Sequence, residues 1–427
     1  MKKNFRLLLI ALLAVPAIYQ ACTKNEYETY TYEANVPVYM SFQEFRSAVK
    51  SADARDIEYP GKIYFKDNLL FVNEVNKGIH VINNADPSNP AKLTFIEIPG
   101  NVDIAIRGNI LFADSFIDLV AIDISDIFDP AEVGRVENAF PNMLPPFDHF
   151  MPISGYDPEL GVVVGWQTKT VTERFPTNSW GRWHGPWLFR GSMDMALQSS
   201  GGPVAGVAGS MARFMLHEHY LYSVTNPFML KTLDISVPEA ITAVDSISTW
   251  RNMETLFRHD KHLFIGTTTG LLIYSLENPA KPEFVSDFDH VNSCDPVVVA
   301  NDIAYVTLRS GNACNGFTNQ LDVIDIIDIK NPRLLKSYPM FNPHGLGIDH
   351  PVLFICDGAD GLKIYDATNP LAVSSNKIAH FPDIDTYDVI PLGNVLMMIG
   401  HDGLFQYDYS DLGNIRLLSH IRITGEK

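Results

Sequence analysis

The chain reads as all-β, a single β-propeller of four-stranded blades. Two observations predict this: one phrase recurs about every 40 residues, and the segments between its copies alternate or run apolar at strand period rather than helix period. The phrase is an apolar segment ending in Asp or a polar substitute, followed within a few residues by Pro. Its copies are His80-Val81-Ile82-Asn83, Val120-Ala121-Ile122-Asp123, Leu233-Asp234-Ile235, Leu272-Ile273-Tyr274-Ser275, Val323-Ile324-Asp325, Lys363-Ile364-Tyr365-Asp366 and Phe405-Gln406-Tyr407-Asp408. The last has lost its Pro. At the Asp-equivalent position the gaps are 40, 111, 41, 50, 41 and 42.

Each phrase has the same preamble of two strands around a short turn, as in Asp103-Ile104-Ala105-Ile106 then Ile110-Leu111-Phe112, or Val297-Val298-Val299 then Ile303-Ala304-Tyr305. A further apolar strand follows the Pro, as at Leu334-Leu335 and Leu417-Leu418. Four short strands per period, divided by turn residues, make one propeller blade. The long gap has room for one more blade, and His149-Phe150-Met151-Pro152-Ile153 with Gly161-Val162-Val163-Val164-Gly165-Trp166 matches its first two strands. The expectation is seven clear blades plus a degenerate eighth.

The phrase, above all Leu119-Val120-Ala121-Ile122-Asp123 and Leu321-Asp322-Val323-Ile324-Asp325, resembles the repeat of the LVIVD-repeat family of bacterial propellers. The resemblance covers about 61–424 without the middle insertion. It implies the fold and assigns no activity, because its residues build blades.

Residues 1–21 have the layout of an export signal: Lys2, Lys3 and Arg6, the apolar run Leu7 to Ile18, then Gln20-Ala21-Cys22. Cys22 stands where a lipoprotein signal is cut and the new terminal thiol lipidated, although Tyr19 and Gln20 depart from the usual aliphatic and small residues. The expected division is 1–21 lipoprotein signal peptide, 22–58 tether and short capping segment, and 59–427 propeller with an insertion at about 141–205. The polar run after Cys22 is similar to signals that place lipoproteins in the outer membrane. The expected location is the cell envelope, facing periplasm or cell surface, with the membrane as a partner through the lipid anchor.

A net charge of −18 excludes nucleic acid as a partner class, since phosphate binding needs a concentrated basic face. Cys294 and Cys314, in loop-like polar surroundings, are a candidate disulfide, whereas Cys356 in an apolar run reads as a buried thiol. His217-Glu218-His219 lacks zinc-protease spacing, and no G-x-S-x-G elbow occurs. Asp357-Gly358-Ala359-Asp360-Gly361 is a β-turn with too few ligands for a calcium loop.

Two features point to function. Trp180, Arg182, Trp183, His184 and Trp187 cluster in the insertion, residue types that stack on sugars or anchor a protein partner; the competing reading is a local core that orders the insertion. Superposing the blades also places Asp103, Arg213, Glu254, Asp295, His344 and Asp388 in a ring around the central channel. Such a ring is a candidate cation site, Ca2+ through oxygens or a transition metal through imidazole, against the plainer reading of a solvated polar channel. No motif calls for a cofactor or a catalytic residue. The expected function is non-catalytic binding or scaffolding through a propeller face, with a protein or glycan partner. The alternative is an extracellular hydrolase or lyase acting on a polymer with acids in the channel.

Overall fold

A computed structural model describes residues 27–141, 143–176, 213–289, 296–310 and 318–424. Among these, seven antiparallel meanders each run from an inner to an outer strand, and an eighth sheet has two strands. The seven inner strands are Pro60–Lys66, Ile104–Arg107, Phe214–His217, Met253–His259, Val297–Ala300, Leu346–Asp349 and Thr386–Leu392. Each packs against the next, and the seventh packs against the first, so the ring closes into a seven-bladed propeller. Inner-to-second and third-to-outer connections lie at one end, here the phrase end; the remaining connections lie at the other, the mouth end.

The packing explains the apolar pattern. Strand side chains alternate between faces, and here both faces of every sheet are covered by neighbouring sheets. Seven apolar clusters therefore fill the seams between successive blades. The seam between blades 7 and 1, for instance, sets Ile390, Met397, Ile399 and Leu404 against Ile63, Leu70, Val72 and Ile82.

The recurring phrase has a local cause as well. The side chain of its Asp accepts the N–H two residues on, from Asp123 to Ser125 (2.8 Å), Asp234 to Ser236 (2.8 Å), Asp325 to Ile327 (2.9 Å), Asp366 to Thr368 (2.8 Å) and Asp408 to Ser410 (2.9 Å). This Asx turn ends the third strand and starts the loop to the outer one. Pro then presents an uncommitted carbonyl to the preceding blade: Tyr222 donates to Pro279 (2.7 Å), Tyr338 to Pro370 (2.8 Å) and Ser419 to Pro87 (2.7 Å).

Among the described residues no degenerate eighth blade forms. Val162–Pro176 pairs with Tyr27–Met40 as the two-stranded ribbon, and His149–Ile153 contributes only an isolated bridge between Ile153 and Asn35. The physical reason is visible in Gln167-Thr168-Lys169-Thr170, which continues the short apolar run with residues too polar to be buried on both faces. Tyr32 donates to Glu173 (2.6 Å), and Thr31 and Thr172 share a hydrogen bond (2.9 Å). The stretch assigned to a tether is thus, from Tyr27, a strand of this ribbon, and the capping helix is Phe42–Phe45.

The chain divides into two compact units, one holding 1–38, 147–157 and 165–194 and the other 39–146, 158–164 and 195–427. The ribbon belongs mainly to the first and the propeller to the second. Within the second, Phe45 is buried against Phe116 and Val162, and Arg46 pairs with Asp118 (3.0 Å). Lys50–Asp53 adds a fifth strand to the outer edge of blade 1.

Ring closure depends on blades 7 and 1 meeting without an exchanged strand. Across that seam the buried amides of Asn84 and Gln406 exchange two hydrogen bonds (2.8 and 2.7 Å). Asn84→Ala and Gln406→Ala should each cost about 2 kcal/mol, because each strands a buried amide. The double variant should cost less than the two single losses added, measured as a double-mutant cycle by urea unfolding; full additivity would mean the pair is not coupled.

Candidate functional site

Asp103, Arg213, Glu254, His344 and Asp388 all lie at the start of inner strands or next to it, at the mouth end, as the superposed repeats predict. Asp295 lies outside the described residues, as do Cys22, Cys294, Cys314 and the cluster Trp180, Arg182, Trp183, His184 and Trp187. Cys356 is a buried free thiol.

Lys62 joins this ring. It precedes Ile63 as Asp103 precedes Ile104, a register legible in the repeats. Its ammonium is 2.5 Å from Asp103, with side-chain exposures of 0% and 2%. Asp103 also accepts the backbone N–H of Arg213 (2.9 Å), so one carboxylate ties blades 1, 2 and 3. Burial pushes the Asp103 carboxyl up to about 7 against the pull of Lys62, and pushes the Lys62 ammonium down. Charges of alternating sign continue around the mouth: Arg213 feels Asp103, Asp114 and Glu254, and Arg309 feels Glu254. Asp388 is buried beside Gly345, where a Cβ would stand 2.4 Å from its carboxylate oxygen. Among the described residues no group of three or more His, Cys, Asp or Glu is arranged to hold a metal ion.

A second layer of buried carboxylates fixes the loops that enter the inner strands. Glu74 accepts the N–H of Glu58 (3.0 Å) and Tyr59 (2.7 Å); Asp114 accepts those of Val102 (2.7 Å) and Asp103 (2.8 Å); Asp357 accepts those of Phe341 (3.1 Å) and Asn342 (2.7 Å). The signal for them is an acid two or three residues past the aromatic of the second strand, in Phe71-Val72-Asn73-Glu74, Phe112-Ala113-Asp114 and Phe354-Ile355-Cys356-Asp357. The Asp357–Gly361 turn is the β-turn expected, with Lys363 paired to Asp357 and to Asp360 (2.5 Å).

The loops before blades 1 and 6, held this way, and the loop before blade 4 expose aromatic rings. Tyr59 and Phe341 are exposed, and Trp250 is 83% exposed on the loop before blade 4. Beside the indole, the Arg251 guanidinium lies 5.7 Å from the ring centre and is held by Asp287 (2.6 Å) and Asp289 (2.5 Å). Nearer the axis, Tyr387 packs between His344 (5.5 Å) and His401 (4.3 Å). Exposed rings on anchored backbone, interleaved with hydrogen-bonding groups, can stack on a partner without paying to order a loop.

No family model matches the chain, and no curated protein matches it. Solved structures do. The computationally designed Ika8 protein aligns over 88% of this chain and 91% of its own at 9% identity and a TM-score of 0.51. The periplasmic gluconolactonase PpgL of Pseudomonas aeruginosa aligns over 88% and 97% at 10% identity and 0.50. BamB of Moraxella catarrhalis aligns over 88% and 92% at 11% and 0.48. At these identities the likeness concerns the fold alone.

Two predictions follow from the ring. Asp103→Ala leaves the Lys62 ammonium buried without its partner and should cost about 3–5 kcal/mol in urea unfolding, part of it recovered in Lys62→Met/Asp103→Asn, whose amide oxygen can still accept the Arg213 N–H. An unrecovered double variant would mean that the loss did not come from the unpaired charge. Burial, with the Arg309 and His401 charges, holds His344 down to about 3, whereas an unfolded His titrates near 6.5. The unfolded chain therefore takes up a proton below about pH 6.5 that the folded chain refuses. Stability should fall from there toward pH 3, by about 2 kcal/mol at pH 5, and His344→Gln should flatten that slope.

Proposed function

We propose that this chain is a non-catalytic cell-envelope lipoprotein of the LVIVD-repeat type, anchored through Cys22, that binds a protein or glycan partner on the mouth end of its propeller. The observation that carries the reading is the contrast between the two layers of that end. The axial acids are occupied inside the protein: Asp103 by Lys62 and backbone amides, Asp114 by backbone amides. The surrounding loops expose Trp250, Tyr59 and Phe341 to solvent. A polymer hydrolase would need two carboxylates open to substrate, whereas Asp103, Asp114 and Asp388 are buried and Glu254 is the one part-exposed acid among the described residues of the ring. A binding face needs exposed, pre-organised aromatic and polar groups.

The test is binding of the chain from residue 23 onward to immobilised polysaccharides and envelope extracts, with Trp250→Ala compared after thermal unfolding shows an intact fold. A loss of at least tenfold in affinity for the retained partner is expected. Unchanged affinity would remove this face from the interaction, and release of reducing ends from a polysaccharide would replace the binding reading by the catalytic one.

A further inference from the structure

The opposite end of the propeller carries a different chemistry. Five of the seven phrase loops expose an aliphatic or aromatic side chain: Phe128, Val237, Ile327, Leu371 and Leu412, with Ile327 73% exposed. Leu392, on an inner-to-second turn at the same end, is exposed too. These positions follow the Asx turn, where the chain needs only to turn, so the turn does not call for an apolar residue. At about half-exposure each, six such side chains add up to several hundred Å2 of apolar surface, distributed over the tips of five blades.

Charge on this end is divided by sector. Blade 2 exposes Asp126 and Asp129 around Phe128, and blade 3 exposes Glu239 beside Val237. Blade 5 exposes Lys330 and Lys336 against one acid, Asp328, around Ile327, and its Arg333 is held by Asp325 (2.5 Å), so this sector is net basic through the two lysines. In a ring of seven, blade 5 lies across the axis from blade 2. A two-fold axis lying in the plane of this face maps blade 2 of one copy onto blade 5 of the other, and blade 5 onto blade 2. The same operation matches acids to bases twice and sets Phe128 near Ile327 of the second copy. Self-complementarity of this kind is what an isologous dimer requires. The segment Met40–Phe45, by which the chain enters the propeller, packs at the mouth end against Phe116 and Ile117, so it does not occupy the phrase end.

We infer that the phrase end is a self-association surface, joining two copies of this chain end to end with blade 2 of each set on blade 5 of the other. The pairing buries the apolar loop tips and leaves both mouth ends free, so the dimer is bivalent for whatever the mouth end binds.

The experiment is sedimentation velocity of the chain from residue 23 onward across 1–100 µM at low and high salt, with two charge-swapped variants, Asp126→Lys/Asp129→Lys and Lys330→Glu/Lys336→Glu. Circular dichroism melting keeps folding failures apart. The expected result is a dimer in the parent chain, a Kd at least tenfold weaker in each variant alone, and recovery when the two variants are mixed, because blade 2 of each then meets the opposite charge on blade 5 of the other. Phe128→Glu/Ile327→Glu should be monomeric and should retain mouth-end binding. A parent chain monomeric at 100 µM, or variants whose mixture does not recover, would overturn the inference without touching the mouth-end reading.

Discussion

Everything in this molecule depends on seven sheets closing into a ring whose last member meets its first by side-chain packing and, at the rim, by one backbone hydrogen bond from Thr424 to Ile57 (2.9 Å). Among the described residues no strand is exchanged between blades 7 and 1, so the final seam is sealed by what seals the others: an apolar cluster, the Ser419 hydroxyl reaching a loop carbonyl, and here the reciprocal amides of Asn84 and Gln406. A ring of this kind also brings seven inner strands to one axis, where polar side chains lose water. Neutralisation inside the protein answers that, and Lys62 with Asp103 is its most buried example.

The same demand shapes the mouth end. Carboxylates at the ends of second strands are buried because they satisfy backbone N–H groups of entering loops that strand pairing cannot reach. Fixing those loops leaves their outward side chains free to be chosen for something other than folding. Tyr59 and Phe341 are such side chains. Of the acids near the axis, Asp103 and Asp114 are engaged by Lys62 and by backbone N–H groups.

Much of the fold was legible because a blade repeats. The period, the Asp that caps the third strand and the Pro that follows it each leave a mark at a fixed place, and all seven copies found in the sequence correspond to blades. The ribbon was not legible, since Val162-Val163-Val164 looks like any inner or second strand, and only its pairing with Tyr27–Met40, more than a hundred residues away, assigns it elsewhere. The placing of Asp103, Arg213, Glu254, His344 and Asp388 near the starts of inner strands was legible from register, and the same register contains Lys62. What register does not convey is charge pairing: nothing in the sequence tells that Asp103 meets Lys62 and not water. Trp250 carries no mark at all, because a solitary Trp before a strand is equally compatible with burial.

The Asp of the repeated phrase also bears on solubility. In blades 5 and 7 its second carboxylate oxygen holds an arginine at the start of the outer strand, Asp325 with Arg333 (2.5 Å) and Asp408 with Arg416 (2.8 Å). An outer strand offers a row of unpaired backbone groups to any other extended chain. The pinned guanidinium sits at the beginning of that row, beside the exposed Leu334 and Leu417, so the residue that ends one strand also guards the open edge of the next against growing into a larger sheet.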